Sequence, residues 1–252
     1  MTWDPKKYNE FKVERFKPFE DLTNHIIDKP NLKVIDLGCG TGELTKKLYD
    51  KLTNPIVVGV DNSAEMLAKA PAQENLEFKQ KSISEIVKEE IKYDLIFSNA
   101  ALQWIDNHNE LFPKIISSIN SGGQLAVQMP QQNENILNKI LYTLVQEQPF
   151  ANYLKNWTRP SPVLNLDEYA KILFENGGRD LVIYEKVYPL ISSTKDDFFE
   201  FISGSALTVY QERLSTDQFE ELSSEFKKRI NNYFPSVPSI YAFRRLLLYA
   251  RF

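Results

Sequence analysis

Along the first half of the chain, apolar residues gather in short dense runs at 33–37, 55–60, 76–79, 93–98 and 122–129. Between these runs they return every three or four positions. The dense runs predict buried β-strands, and the spaced patterns at 43–52, 63–69, 83–90 and 109–119 predict helices with one apolar face. Alternation of this kind calls for a parallel sheet with helices on both faces. The first strand is expected at the centre, with a crevice at the carboxyl ends of the strands where the order reverses. After Pro130 the pattern changes. Residues 131–175 read as helix and loop around Pro149, Pro160 and Pro162, followed by a strand at 180–189, helices near 195–213 and 216–232, and a last strand at 240–250. The expected fold class is α/β, a doubly wound, mostly parallel seven-stranded sheet.

The first strand runs into Gly38-Cys39-Gly40-Thr41-Gly42 and then into a helical pattern with Leu44, Leu48, Tyr49 and Leu52 on one side. Glycine tolerates positive φ and removes the side chain that keeps a ligand off the backbone, while a helix start presents free N–H groups. The spacing G-x-G-x-G differs from the dinucleotide fingerprint G-x-G-x-x-G, and no G-x-x-x-x-G-K-[ST] loop occurs. One βα unit later the run 56–60 ends in Asp61, a carboxylate placed to accept both hydroxyls of a ribose. Capping of the helix at 63–69 is the other use open to Asp61, and Asn62 or Ser63 would serve there equally. Together the two signals point to a nucleoside.

Composition narrows the partners. The chain has 252 residues, 42% hydrophobic and 25% charged, with a net charge of −4. Its only notable basic run is Lys227-Lys228-Arg229, so nucleic acid is excluded as an expected partner. No apolar run approaches the ~20 residues of a membrane span, and the polar N-terminus lacks a signal-peptide core. A single cysteine forms no internal disulfide, and the cytoplasm is the expected compartment. Two histidines and one cysteine supply no metal cluster. Cys39 suits the turn by its small size, and His25 sits in a helical pattern among Leu22, Ile26 and Ile27. His108 is the sole candidate general base, with an exposed loop position as the alternative.

Residues 34–42 and 57–61 resemble the first motif and the acidic strand end of the class I S-adenosylmethionine-dependent methyltransferases. Within that class the chain is similar to the trans-aconitate methyltransferases. The shared segments are Trp3-Asp4-Pro5 with Tyr8 and Phe11, Glu14-Arg15, Asp94 to Trp104, Leu125 to Pro130 and, more weakly, Phe201–Leu214 and Ala242 to Leu246. The resemblance implies a Rossmann-like methyltransferase fold as one domain over 1–252, with 33–130 as the cofactor-binding core and 131–175 and 192–235 as a helical cap over the crevice. It implies S-adenosyl-L-methionine as cofactor, held by Asp36, Gly38, Cys39, Gly40, Gly42, Asp61, Asn62, Met66, Ser82, Ile83, Asn99 and Gln103. Ser82 stands where the family usually has an aspartate for the adenine amino group. Tyr8, Arg15, Trp104, Tyr210 and Arg245 are the expected substrate-binding residues, and Arg244 stands where the pattern more often has proline.

The shortage of acid–base residues fits a nucleophile that needs no deprotonation. A carboxylate is already ionised at neutral pH, so alignment alone supplies roughly 7–11 kcal/mol of barrier reduction. The expected activity is carboxyl O-methylation of a small polycarboxylic acid, trans-aconitate first among them. Malonyl-thioester carboxyl methylation and a non-catalytic cofactor-binding subunit are the alternatives. Arginine suits such an anion better than lysine, because its fork grips a carboxylate bidentately. A monomer is expected.

Overall fold

The computed structural model describes residues 16–252. Its strands are β1 (Lys33–Leu37), β2 (Ile56–Asp61), β3 (Leu76–Gln80), β4 (Tyr93–Asn99), β5 (Ile119–Pro130), β6 (Arg179–Ser192) and β7 (Ser239–Arg251). They form one sheet in the order β3-β2-β1-β4-β5-β7-β6. β1 pairs in parallel with both β2 and β4, so the strand order reverses at β1. β7 enters antiparallel to β5, pairing Gln128 with Leu247 and Pro130 with Arg245. The result is the doubly wound, mostly parallel seven-stranded sheet read from the apolar runs.

Helices α1 (16–23), α2 (Glu43–Lys51), α3 (Ala64–Leu67), α4 (Ile83–Ile86) and α5 (His108–Ser117) alternate with the strands, the 3-10 turn Leu102–Trp104 preceding α5. Then come α6 (Ile136–Leu144), α7 (Phe150–Tyr153), α8 (Leu166–Glu175), α9 (Asp197–Ala206), α10 (Thr208–Gln211) and α11 (Thr216–Tyr233). Three are shorter than the apolar spacing predicts. α4 stops at Ile86 because, beyond the buried Ile83 and Ile86 and the partly buried Val87, Lys88-Glu89-Glu90 adds nothing to bury. α3 likewise has no buried residue. The helix expected over 195–213 breaks at Leu207, where the Thr208 hydroxyl donates to Ser205 O at 2.8 Å.

The described chain divides into two compact units. One holds the residues up to Pro130, Pro162–Lys186 and Arg245–Phe252; the other holds Gln131–Ser161 and Val187–Arg244. In the first, Ile35, Leu37, Val60, Ile96, Leu125 and Val127 of the sheet are buried with Phe112 and Ile115 of α5 and Tyr169 and Leu173 of α8. In the second, Leu137, Leu141 and Leu144 of α6 face Phe198 and Ile202 of α9 and Leu222, Phe226 and Ile230 of α11. Spacings of three and four place each set on one helix face. No helix among the described residues is long and apolar enough to cross a membrane.

Candidate active site

Parallel pairing brings the carboxyl ends of β2, β1, β4 and β5 to one edge of the sheet. There the chain leaves β1 through Gly38–Gly42, with Gly38 N and Cys39 N donating to Val60 O at 2.8 and 2.9 Å. Gly38 has φ +77° and Gly40 φ +56°, both left-handed. They serve different ends. A Cβ on Gly38 would collide with Ala101 Cβ, so this glycine lets the turns after β1 and β4 pack together. Around Gly40, its two chain neighbours aside, no atom of the described residues lies within 4 Å of where a Cβ would stand. That room, beside backbone N–H groups, is open to a ligand.

Asp61 ends β2 beside the turn. Its Oδ2 accepts the Gly40 N–H and its Oδ1 the Ser63 N–H, each at 2.9 Å. A carboxylate has about four lone-pair directions, so two remain. The N-cap of α3 is Ser63, whose hydroxyl accepts from Met66 N. Asp61 therefore does not cap that helix with its own N-cap bond.

Asp36 lies beneath the turn, with 2% of its surface exposed. Thr45 Oγ1 donates to its Oδ2 at 2.6 Å, and Oδ1 is buried with no hydrogen-bond partner among the described residues. Burial pushes its pKa up to about 7 against the Thr45 hydrogen bond, with the nearby Asp61 charge adding to the rise. A half-satisfied buried carboxylate weakens a fold, so its presence at a ligand turn points to use. The same burial, with the charges of Asp36 and Asp61, pushes the Cys39 thiol up and keeps it a poor nucleophile.

At the end of β4, Asn99 pairs in register with Gln128 of β5. Gln128 Nε2 donates to Asn99 Oδ1 at 2.5 Å, and Gln128 Oε1 accepts from Arg245 Nη1 at 2.8 Å. Arg245 is 7% exposed and reaches this edge because β7 runs antiparallel to β5. Ala100, at φ +58°, turns the chain after β4. Gln103 follows in the 3-10 turn, its Nε2 donating to Ala100 O at 2.7 Å and its buried Oε1 without a partner among the described residues. Trp104 is partly exposed. From Asp61 to Arg245 the edge crosses four strand intervals, about 19 Å at ~4.8 Å each.

Asn62 and Ser82 extend the same edge beyond Asp61, since β3 lies parallel to β2 and Lys81 N–H donates to Asp61 O at 3.1 Å. Ser82 is the N-cap of α4: its hydroxyl accepts Glu85 N–H and donates to Glu85 Oε2. Asn62 O accepts from Gln80 Nε2, Met66 is exposed on α3 and Ile83 is buried in the core. Tyr210 belongs to the second unit, where it is buried edge-on to Trp157 and Arg213 stacks on the Trp157 face at 3.9 Å. Burial pushes the Tyr210 phenol up to about 12, with Arg159 and Arg213 pulling the other way. Tyr8 and Arg15 lie outside the described residues. Thr45 and Gln128 were not among the candidates. Their signal is a lone polar residue on an otherwise buried face, visible in the chain but shared with many structural positions.

His108 is the first residue of α5 and is buried, not an exposed loop residue. Its Nε2–H donates to Leu102 O at 3.0 Å, so Nδ1 accepts the Tyr169 hydroxyl at 2.5 Å. Tyr169 in turn accepts Leu164 N–H. Both ring nitrogens are occupied, and burial lowers the pKa. A lowered pKa favours the neutral ring in the fold, so this contribution is full above the unfolded value near 6.5 and is lost as pH falls below it. His108→Phe is expected to cost about 2 kcal/mol at pH 8 by stranding two polar groups, and less at pH 5.5. Denaturant unfolding at the two pH values measures this; a general base would instead show as a large loss of kcat at unchanged stability.

Residues 28–178 match the family described as a methyltransferase domain, and the chain belongs to that family. It is an S-adenosylmethionine-dependent methyltransferase. A trans-aconitate 2-methyltransferase of Deinococcus radiodurans is 36% identical over 99% of this chain and 98% of its own. One from Variovorax paradoxus is 29% identical over 93% of this chain and 91% of its own. The fold is similar to that of Haemonchus contortus phosphoethanolamine N-methyltransferase 2, solved with S-adenosyl-L-methionine, at TM-score 0.55 and 17% identity. That likeness covers 93% of this chain and 51% of the nematode chain.

Proposed function

We propose that this enzyme methylates a carboxylate of a small polycarboxylic acid, trans-aconitate. The observation that carries the reading is Arg245, a buried arginine held at the carboxyl edge of the sheet by Gln128. Its setting matters because the relatives similar over nearly the whole chain are named for this substrate.

The site fits the cofactor through the open room at Gly40 and the orphaned oxygen of Asp36. When bound, S-adenosylmethionine supplies a methyl group on a sulfonium, ready for in-line attack. Asp61 offers its two spare lone pairs to ribose hydroxyls. Asp36 would hold the ammonium end, whose positive charge would favour the ionised carboxylate and give Oδ1 a partner. Asn99 and Gln103 would border the reacting end. Arg245 would hold one carboxylate of the acid while another, already ionised, stands as the nucleophile, so that no residue of the chain has to take up a proton. Positioning and exclusion of water are the protein's contribution.

Purified protein with methyl-labelled cofactor is expected to convert trans-aconitate to a base-labile methyl ester. Arg245→Gln is expected to raise the acid's KM about ten-fold or more, a lost charge-assisted contact being worth ~1.5–3 kcal/mol. Arg15→Gln is expected to do the same. Lysine at either position recovers part of the loss, since a point charge does not reproduce the fork. Unchanged KM in both glutamine variants would sink the polycarboxylate assignment and favour the thioester.

A further inference from the structure

Gln128 sits fully buried within an apolar strand, and both ends of its amide are taken. Arginine has donors only, so the atom facing Arg245 Nη1 is Oε1. Nε2 therefore faces Asn99 and donates to its Oδ1. Asn99 is fixed in turn: its oxygen is engaged by Gln128, and its Nδ2 hydrogens turn the other way. One guanidinium thus sets the direction of two amides. Strand register makes this possible, since Asn99 and Gln128 are partners across β4 and β5, and Arg245 lies two residues before Leu247, the partner of Gln128 on β7.

Resting on the carboxylate-acceptor reading, we propose that Gln128 is a positioning residue that holds Asn99 as a hydrogen-bond donor and Arg245 as a fixed fork, so that the acid meets N–H groups from both. A neutral amide suits this place. Its oxygen anchors the guanidinium without neutralising it, as a carboxylate would. Its nitrogen excludes the alternative setting of Asn99, in which an oxygen would face the acid and repel it.

Asn99→Asp keeps the acceptor for Gln128 Nε2 but replaces the outward donor with an anionic oxygen. The trans-aconitate KM is expected to rise about 30-fold, and because Asn99 also borders the cofactor's reacting end, the Kd of S-adenosylhomocysteine is expected to move too, but by several-fold less than KM. Gln128→Glu imposes the same reversal from behind: the new carboxylate accepts from both neighbours, turns the Asn99 amide round and neutralises Arg245. The same KM-selective change is expected. A merely structural role would lower stability and kcat and leave KM alone. An unchanged KM in Asn99→Asp, or a Kd that rises in step with KM, overturns the proposal, and that variant decides the matter if Gln128→Glu fails to fold.

Failure of the carboxylate reading itself has a separate signature, a wild-type protein that leaves trans-aconitate and succinate unmethylated. The relay is then read without turnover, by nitrogen-15 NMR of the Asn99 side-chain amide as succinate is added to protein saturated with S-adenosylhomocysteine. A shift of the Nδ2 protons that disappears in Gln128→Glu supports the relay. No shift in the wild type overturns it.

Discussion

Gly40→Ala is expected to abolish cofactor binding in a protein that still folds. At φ +56° an alanine is strained by about 1–2 kcal/mol, a tolerable loss against a typical stability of roughly 5–15 kcal/mol. Its two chain neighbours aside, no described atom stands within 4 Å of the added methyl, so the unliganded turn accepts it. A cofactor seated as proposed has no such tolerance, because it would occupy that room. A loss of at least about 100-fold in affinity, or ~2.7 kcal/mol, is expected. Gly38→Ala makes the contrast. Its methyl collides with Ala101, so the main loss is in folding stability, about 1–3 kcal/mol or more. Calorimetry with S-adenosylhomocysteine and urea unfolding of both variants separate the two roles. Wild-type affinity in a folded Gly40→Ala protein would place the cofactor elsewhere.

The second large effect is expected at Asp36, where stability and binding pull in opposite directions. A carboxyl whose folded pKa is raised from 3.8 to about 7 favours the protonated form in the fold. Its contribution is full below the unfolded value and is lost as pH rises through the folded one. About three pKa units correspond to ~4 kcal/mol lost between pH 4 and pH 8. Asn at this position carries no charge to desolvate. Asp36→Asn is thus expected to be more stable than the wild type at pH 8, by about 2 kcal/mol after allowing for an imperfectly paired amide, with the gap closing toward pH 4. Cofactor affinity is expected to fall at least ten-fold, since a neutral amide forfeits the charge-assisted contact with the ammonium. Unfolding at pH 5 and pH 8, with calorimetry at pH 8, tests both halves. Equal stability across the range would mean that the carboxylate is not strained by burial.

The strands show how far local pattern reaches. Each apolar run became a strand, with ends displaced by a few residues; in the central strands β1 and β4 burial on both faces demands a continuous apolar segment, while the edge strand β3 buries only Leu76. The short helices were over-read at α3 and α4, where spacing suggested a longer element but packing supplied no partner beyond the first turn. From the sequence His108 reads as a candidate general base or as an exposed loop residue. Only the approach of α8, which carries Tyr169, makes it a buried ring with two partners.

The glycine turn and Asp61 were legible in the chain because they are local. A strand, a turn that needs positive φ and a carboxylate one βα unit later are set by short-range sterics, and with the parallel sheet they carry the proposal of a nucleoside site. The burial of Asp36 against Thr45, and the line from Asn99 through Gln128 to Arg245, were decided by tertiary structure alone. No spacing encodes them. The antiparallel insertion of β7 beside β5 is what carries an arginine near the end of the chain to the edge where β4 ends, and strand order is fixed by which apolar faces pack together over the whole molecule rather than by any segment's own propensity.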